Sequence, residues 1–83
     1  MSYLVRFEGK ALVQLHGLPA VAFDALVERV VDLVDAPWDA DLIDRGGDPA
    51  FRQVTFGRGS GLLSFRVDDT TEVIAIFDIA WIG

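Results

Sequence analysis

The side chains here that could do chemistry are carboxylates and arginines. His16 is the only histidine and there is no cysteine. A disulfide framework and a zinc-thiolate site are therefore excluded, and any metal site would have to be built from carboxylates alone. No metal or cofactor is expected. Asp68-Asp69, Asp44 and Asp48 stand where side chain to backbone bonds start turns; the sequence does not single out a general acid or base among them. The arginines are more informative. Arg52, Arg58 and Arg66 all fall in the C-terminal stretch from Phe51 onward. If Arg52 and Arg58 point the same way as Arg66, three guanidinium groups converge on one polar sheet surface. Otherwise they are solvated and balance nearby acids. Gly57-Arg58-Gly59-Ser60-Gly61 opens no helix, so it reads as a hairpin loop and not as a phosphate cradle.

Three runs must position these residues. Phe51 to Phe56, Leu62 to Val67 and Val73 to Ile82 are rich in β-branched and aromatic residues and are separated by Gly and Asp clusters. They predict an antiparallel meander. In the second run Leu63, Phe65 and Val67 share one face, and Ser64, Arg66 and Asp68 share the other, so one side is buried and one open. The third run places Val73, Ala75, Phe77, Ile79 and Trp81 on one face and Ile74, Ile76, Ala80 and Ile82 on the other, interrupted only by Asp78. A strand apolar on both faces is interior, which calls for a further strand beside it.

The N-terminal half supplies that strand and the cover. Tyr3 to Glu8 alternates, with Tyr3, Val5 and Phe7 opposite Leu4, Arg6 and Glu8. Lys10 to His16 has helical spacing and ends at Gly17 as a C′ residue. Leu18-Pro19 opens a second helix whose stripe is Phe23, Leu26, Val27, Val30, Leu33 and Val34. Its other face carries Asp24, Glu28 and Asp32, a solvated face or a dock for a basic partner. Pro37 ends that helix. Ala36 to Ala50 is an acidic connection longer than most, pinned by Trp38, Leu42 and Ile43. The order β-α-α-β-β-β predicts an α+β domain spanning residues 1–83, with both helices on one face of a small, mostly antiparallel four-stranded sheet.

Composition bounds the rest. A chain of 83 residues that is 52% hydrophobic suits one domain with a dense core. No run is long and apolar enough for a membrane span, and the absence of cysteine fits a reducing cytoplasm. The net charge of −6, from 13 acidic and 7 basic residues, disfavours long-range attraction to nucleic acid or to an anionic membrane.

The order of elements and several stretches resemble the RelE/ParE superfamily, the toxin halves of bacterial toxin–antitoxin pairs. Tyr3-Leu4-Val5-Arg6-Phe7 is similar to its first strand. Ala11-Leu12-Val13-Gln14-Leu15 with Leu18-Pro19 resembles its "A-x-x-x-L-x-x-L-P" hallmark, and Leu33 to Pro37 resembles the end of its second helix. Phe51-Arg52 is similar to its "Y-R", and Phe65 to Asp69 to its "Y-x-V-D-D". The resemblance implies a small antitoxin as partner. It also implies a sheet that cradles mRNA on the ribosome and cleaves it through the 2′-hydroxyl, without a metal. Arg52, Arg58 and Arg66 are then the candidate catalytic or phosphate-contacting residues, with His16 a distant candidate base. Leu62 stands where the family often has arginine, and the chain stops at Trp81-Ile82-Gly83 without the "H-R-x-x-x-Y" tail. Two alternatives remain: a non-catalytic protein-binding module of this fold, and the gyrase-poisoning ParE branch. Trp81 and the last strand are covered by an antitoxin helix, by a second copy of the chain in a homodimer, or by the chain's own core.

Overall fold

The computed structural model describes residues 2–83. Strand β1 (Leu4–Phe7) leads into helix α1 (Gly9–His16) and helix α2 (Ala20–Leu33). A 3-10 turn over Pro37–Asp39 follows, then β2 (Asp41–Leu42), β3 (Phe51–Phe56), β4 (Gly61–Asp68) and β5 (Val73–Trp81). The sheet order is β1-β5-β4-β3-β2. β1 runs parallel to β5, and the other pairs are antiparallel. The strand expected beside β5 is therefore β1. The sheet has five strands and not four, because Asp41 and Leu42 of the acidic connection pair with Gln53 and Arg52.

β5 departs from simple alternation. Ser64 lies opposite Asp78, but Phe65 lies opposite Ile76, so Phe77 is an extra residue with no partner on β4. An extra residue reverses the side-chain parity beyond it. Ile79 consequently faces the same side as Ile74 and Ile76, and all three are buried at 4% exposure or less. The two-sided apolar appearance of this run came from counting through the bulge. Ala75 and Phe77 remain on the opposite face.

The core lies between that side of the sheet and the helices. Leu63, Phe65, Val67, Ile74, Ile76 and Ile79 pack with Ala11 of α1 and Leu26 and Leu33 of α2. On α2 the buried residues are Ala22, Leu26 and Leu33, while Phe23 and Val27 of the expected stripe are 42% and 43% exposed. The buried stripe is thus rotated by about one residue, because Ala22 allows a close approach to the sheet that phenylalanine would block. Gly17 ends α1 in a right-handed conformation, and Pro19 is the residue before α2 rather than its first turn.

The segment 36–50 is held in part by the residues expected, since Leu42 is half-buried and pairs in β2 and the Trp38 indole donates to Asp69 at 3.0 Å. Pro37 and Ala40 are buried, whereas Trp38 and Ile43 are exposed at 37% and 39%. Asp44 and Asp48 accept hydrogen bonds from the amides of Gly46 and Ala50, and Asp68 does the same for Thr70 and Thr71. These are the aspartate turns that the sequence predicts. Gly61 is buried under Phe56, where a Cβ would lie 2.3 Å from the ring. Among the described residues, no helix is long and apolar enough to cross a membrane.

Candidate nucleic-acid interface on the open sheet face

Strand register decides which residues share the side of the sheet away from the helices. Phe51, Gln53 and Thr55 of β3 lie opposite Arg66, Ser64 and Leu62 of β4. Across β4, Arg66 lies opposite Ala75 and Leu62 opposite Ala80. Arg6 of β1 lies opposite Ala75 from the other side. One row of this face therefore reads Phe51, Arg66, Ala75, Arg6. Phe51 also meets Phe77 edge to face, with centroids 5.7 Å apart, so an aromatic pair leans over β4 beside Arg66. Such an edge-to-face pair is a favoured ring geometry. It helps explain why Ser64, a polar residue on the open side, is only 8% exposed.

The structure does not bring Arg52, Arg58 and Arg66 together. Arg52 lies opposite Phe65, which is fully buried, so its stem follows the helix side of the sheet. Its Nη1 donates to the carbonyls of Trp38 and Ala40 at 3.1 and 2.9 Å, and its Nε to that of Pro49 at 2.8 Å. Its guanidinium carbon sits 5.0 Å from the centre of the Trp38 ring. Arg52 thus clasps the acidic connection. Arg58 lies in the β3–β4 turn with φ +58°, on a cleft of about 710 Å³ shared with Glu28, Arg29 and Asp32 of α2 and with Trp81. Trp81 is half-buried and stacks on Phe56, so the chain's own core covers much of it. His16 is exposed at the end of α1. Only Arg66 of the three occupies the open face.

Arg6 completes the row, and the candidate set drawn from the sequence omitted it. Alternation in the first run had already placed it opposite Val5 and Phe7. What the sequence lacked was the register that sets it across Ala75 from Arg66.

The carboxylates near this row are mostly engaged. Asp68 is held below the usual carboxylate range first by the Thr71 amide, with Thr70 and the nearby Arg66 charge adding to it. Asp78 is lowered by a hydrogen bond from Gln14 and then by Lys10, whose ammonium lies 3.1 Å away. Glu8 approaches Arg6 at 3.6 Å, both well exposed. Among the described residues, no carboxylate lies within ion-pair distance of Arg66.

Helix side chains bond the sheet backbone where β5 runs past β1 and where β3 runs past β2. Gln14 Oε1 accepts the Ile79 amide at 2.7 Å, beyond the end of β1. Arg29 Nε donates to the Thr55 carbonyl at 3.2 Å, beyond the end of β2. These bonds satisfy groups that would otherwise invite another strand.

No protein-family model and no curated protein matches this sequence. Solved structures do match in shape. The isolated E. coli RelE toxin superposes with a TM-score of 0.84 at 18% identity, covering 99% of this chain and 86% of that one. A chain of the toxin–antitoxin complex RelBE2 from Mycobacterium tuberculosis gives 0.80 at 27% identity, covering 98% and 99%. The chain has a RelE-like toxin fold. A chain of the archaeal RelE–RelB complex from Pyrococcus horikoshii OT3 agrees, at TM-score 0.72 and 21% identity over 100% and 98% of the two chains. Within this RelE-like frame Leu62, where the resemblance leads one to look for arginine, is 37% exposed in a row with Thr55 and Ala80 that carries no charge. Arg66 stands four residues further along β4, about 13 Å away, with Arg6 of β1 in its row.

Proposed function

We propose that this chain is the toxin component of a toxin–antitoxin pair, held inactive by a protein antitoxin, and that its open sheet face grips RNA without cutting it efficiently. The observation that carries this reading is the RelE-like fold, which extends over nearly the whole chain and is shared with chains solved in RelB–RelE type complexes. Inefficient cleavage follows from the side chains. Metal-independent attack by a 2′-hydroxyl asks for a base, cations on the phosphate and an acid for the leaving oxygen, all within reach of one phosphorus. Arg52 is occupied by three carbonyls, Arg58 lies at the far turn, and the row at Leu62 is uncharged.

The same observations favour a second reading, a non-catalytic module of this fold that acts by binding protein, including a gyrase-directed role. Induced expression separates the two. The toxin reading expects growth arrest, relieved by co-expression of the protein encoded next to this gene, with translation reduced. Arrest accompanied by DNA damage and unchanged translation supports the gyrase-directed role. Unaffected growth at a confirmed level of folded protein would sink the toxin reading.

A further inference from the structure

Two of the chain's 7 basic residues stand on either side of Ala75, a residue with only a methyl group to separate them. Arg66 and Arg6 are each in register with Ala75, one from β4 and one from β1. Two strand spacings put their Cα atoms about 10 Å apart. Two long side chains can close that gap from both sides, and Ala75 at 2% exposure is already covered by its neighbours. On the Arg66 flank lies the Phe51–Phe77 pair.

We propose that Arg6 and Arg66 form a two-armed phosphate site across Ala75, with the Phe51–Phe77 pair as the platform for the attached base. The ligand class is a nucleotide phosphate, on a free mononucleotide or within an RNA strand. The RNA source rests on the function proposed above; the site itself rests on the row. Guanidinium groups suit this role because each presents paired N–H donors that match two phosphate oxygens. Aromatic faces and edges take any base without reading its sequence.

Charge accounting points to the same place. Of the three carboxylates around the row, Asp68 is committed to the Thr70 and Thr71 amides, and Asp78 to Gln14 and Lys10. Glu8 is the remaining competitor, at 3.6 Å from Arg6. It acts as a weak internal anion that an incoming phosphate displaces. The chain's net charge of −6 gives no long-range attraction, so binding here depends on short-range bonds and on Glu8 giving way.

The test is fluorescence anisotropy of a labelled single-stranded RNA oligonucleotide with the purified full chain, in competition with AMP and with inorganic phosphate. Arg6→Ala and Arg66→Ala are each expected to weaken binding about tenfold and to flatten its salt dependence. Arg66→Lys should keep the salt dependence but regain only part of the affinity. Glu8→Gln should tighten binding severalfold, a gain that misfolding cannot mimic, and circular dichroism melts report whether each variant is folded. AMP displacing the RNA identifies a free nucleotide as sufficient; displacement only by unlabelled RNA identifies the strand. No binding of RNA, AMP or phosphate, or binding that ignores both arginine substitutions, overturns the site. Arginine-dependent binding by a chain that does not arrest growth would overturn the toxin reading and leave the site standing.

Discussion

Replacing Arg52 separates a structural clasp from a catalytic group. Its three hydrogen bonds run to the carbonyls of Pro49, Trp38 and Ala40, and each bond from a charged donor contributes about 1.5–3 kcal/mol. Two of the three lie at the surface, where water replaces the lost donor, so the total falls well short of their sum. Stacking on Trp38 adds about 0.5–1 kcal/mol. Arg52→Ala should therefore destabilise the fold by about 2–3 kcal/mol, or lower Tm by about 10–20 °C for a domain of this size. Arg52→Lys should recover little, because an ammonium on a flexible stem cannot serve three carbonyls held in a fixed fork. Thermal and urea unfolding by far-UV circular dichroism gives the stability, and tryptophan fluorescence reports release of Trp38. An Arg52→Ala protein that melts within about 2 °C of the parent, yet no longer binds RNA or arrests growth, would refute this assignment and return Arg52 to the functional face.

Other positions give sharper packing and pH tests. Gly61→Ala places a methyl against the buried Phe56 ring and should cost about 1–3 kcal/mol in urea unfolding; no change would mean that the ring has room to move. Gln14→Ala frees the Ile79 amide and the Asp78 carboxylate, and should speed hydrogen exchange at Ile79 more than at Ile74, which hydrogen exchange measured by NMR resolves. Asp78 is lowered by Gln14 and then by Lys10. Its contribution is thus fully present above the unfolded carboxylate pKa and is lost as pH falls through the lower folded value. Asp78→Asn should flatten the acid limb of stability against pH below about 4, and an unchanged limb would contradict the pairing. Tyr3 donates to Asp69, and this bond raises its pKa. Tyr3 therefore stabilises the fold below the ordinary phenol pKa and stops doing so as pH rises through the folded value. Tyr3→Phe should remove that alkaline loss from melts recorded above about pH 10.

Most of the fold was legible because it rests on periodicity and turn chemistry. The two helices, the three-strand meander and the β1 neighbour all followed from spacing, and the aspartate turns followed from Asp44, Asp48 and Asp68. Three features were not legible, each for a local reason. The β5 bulge at Phe77 reverses parity without any glycine to mark it. Strand β2 is two residues long, too short to show alternation. The buried stripe of α2 turns on Ala22, whose small size matters only once the sheet is in place. The site was harder. Residue type alone drew attention to Arg52, Arg58 and Arg66, but one serves carbonyls, one a turn, and one the open face. Arg6 became visible only through register with Ala75, which connects residues almost 70 positions apart and leaves no trace in local sequence.

Titrating unlabelled single-stranded RNA into the 15N-labelled chain, and following backbone amides and arginine side-chain signals, tests the account most directly. It predicts shifts concentrated at Arg6, Phe51, Arg66, Ala75 and Phe77, with Arg52 unmoved. Shifts confined to the Arg58 turn and helix α2, or no shifts at saturating RNA, would contradict it.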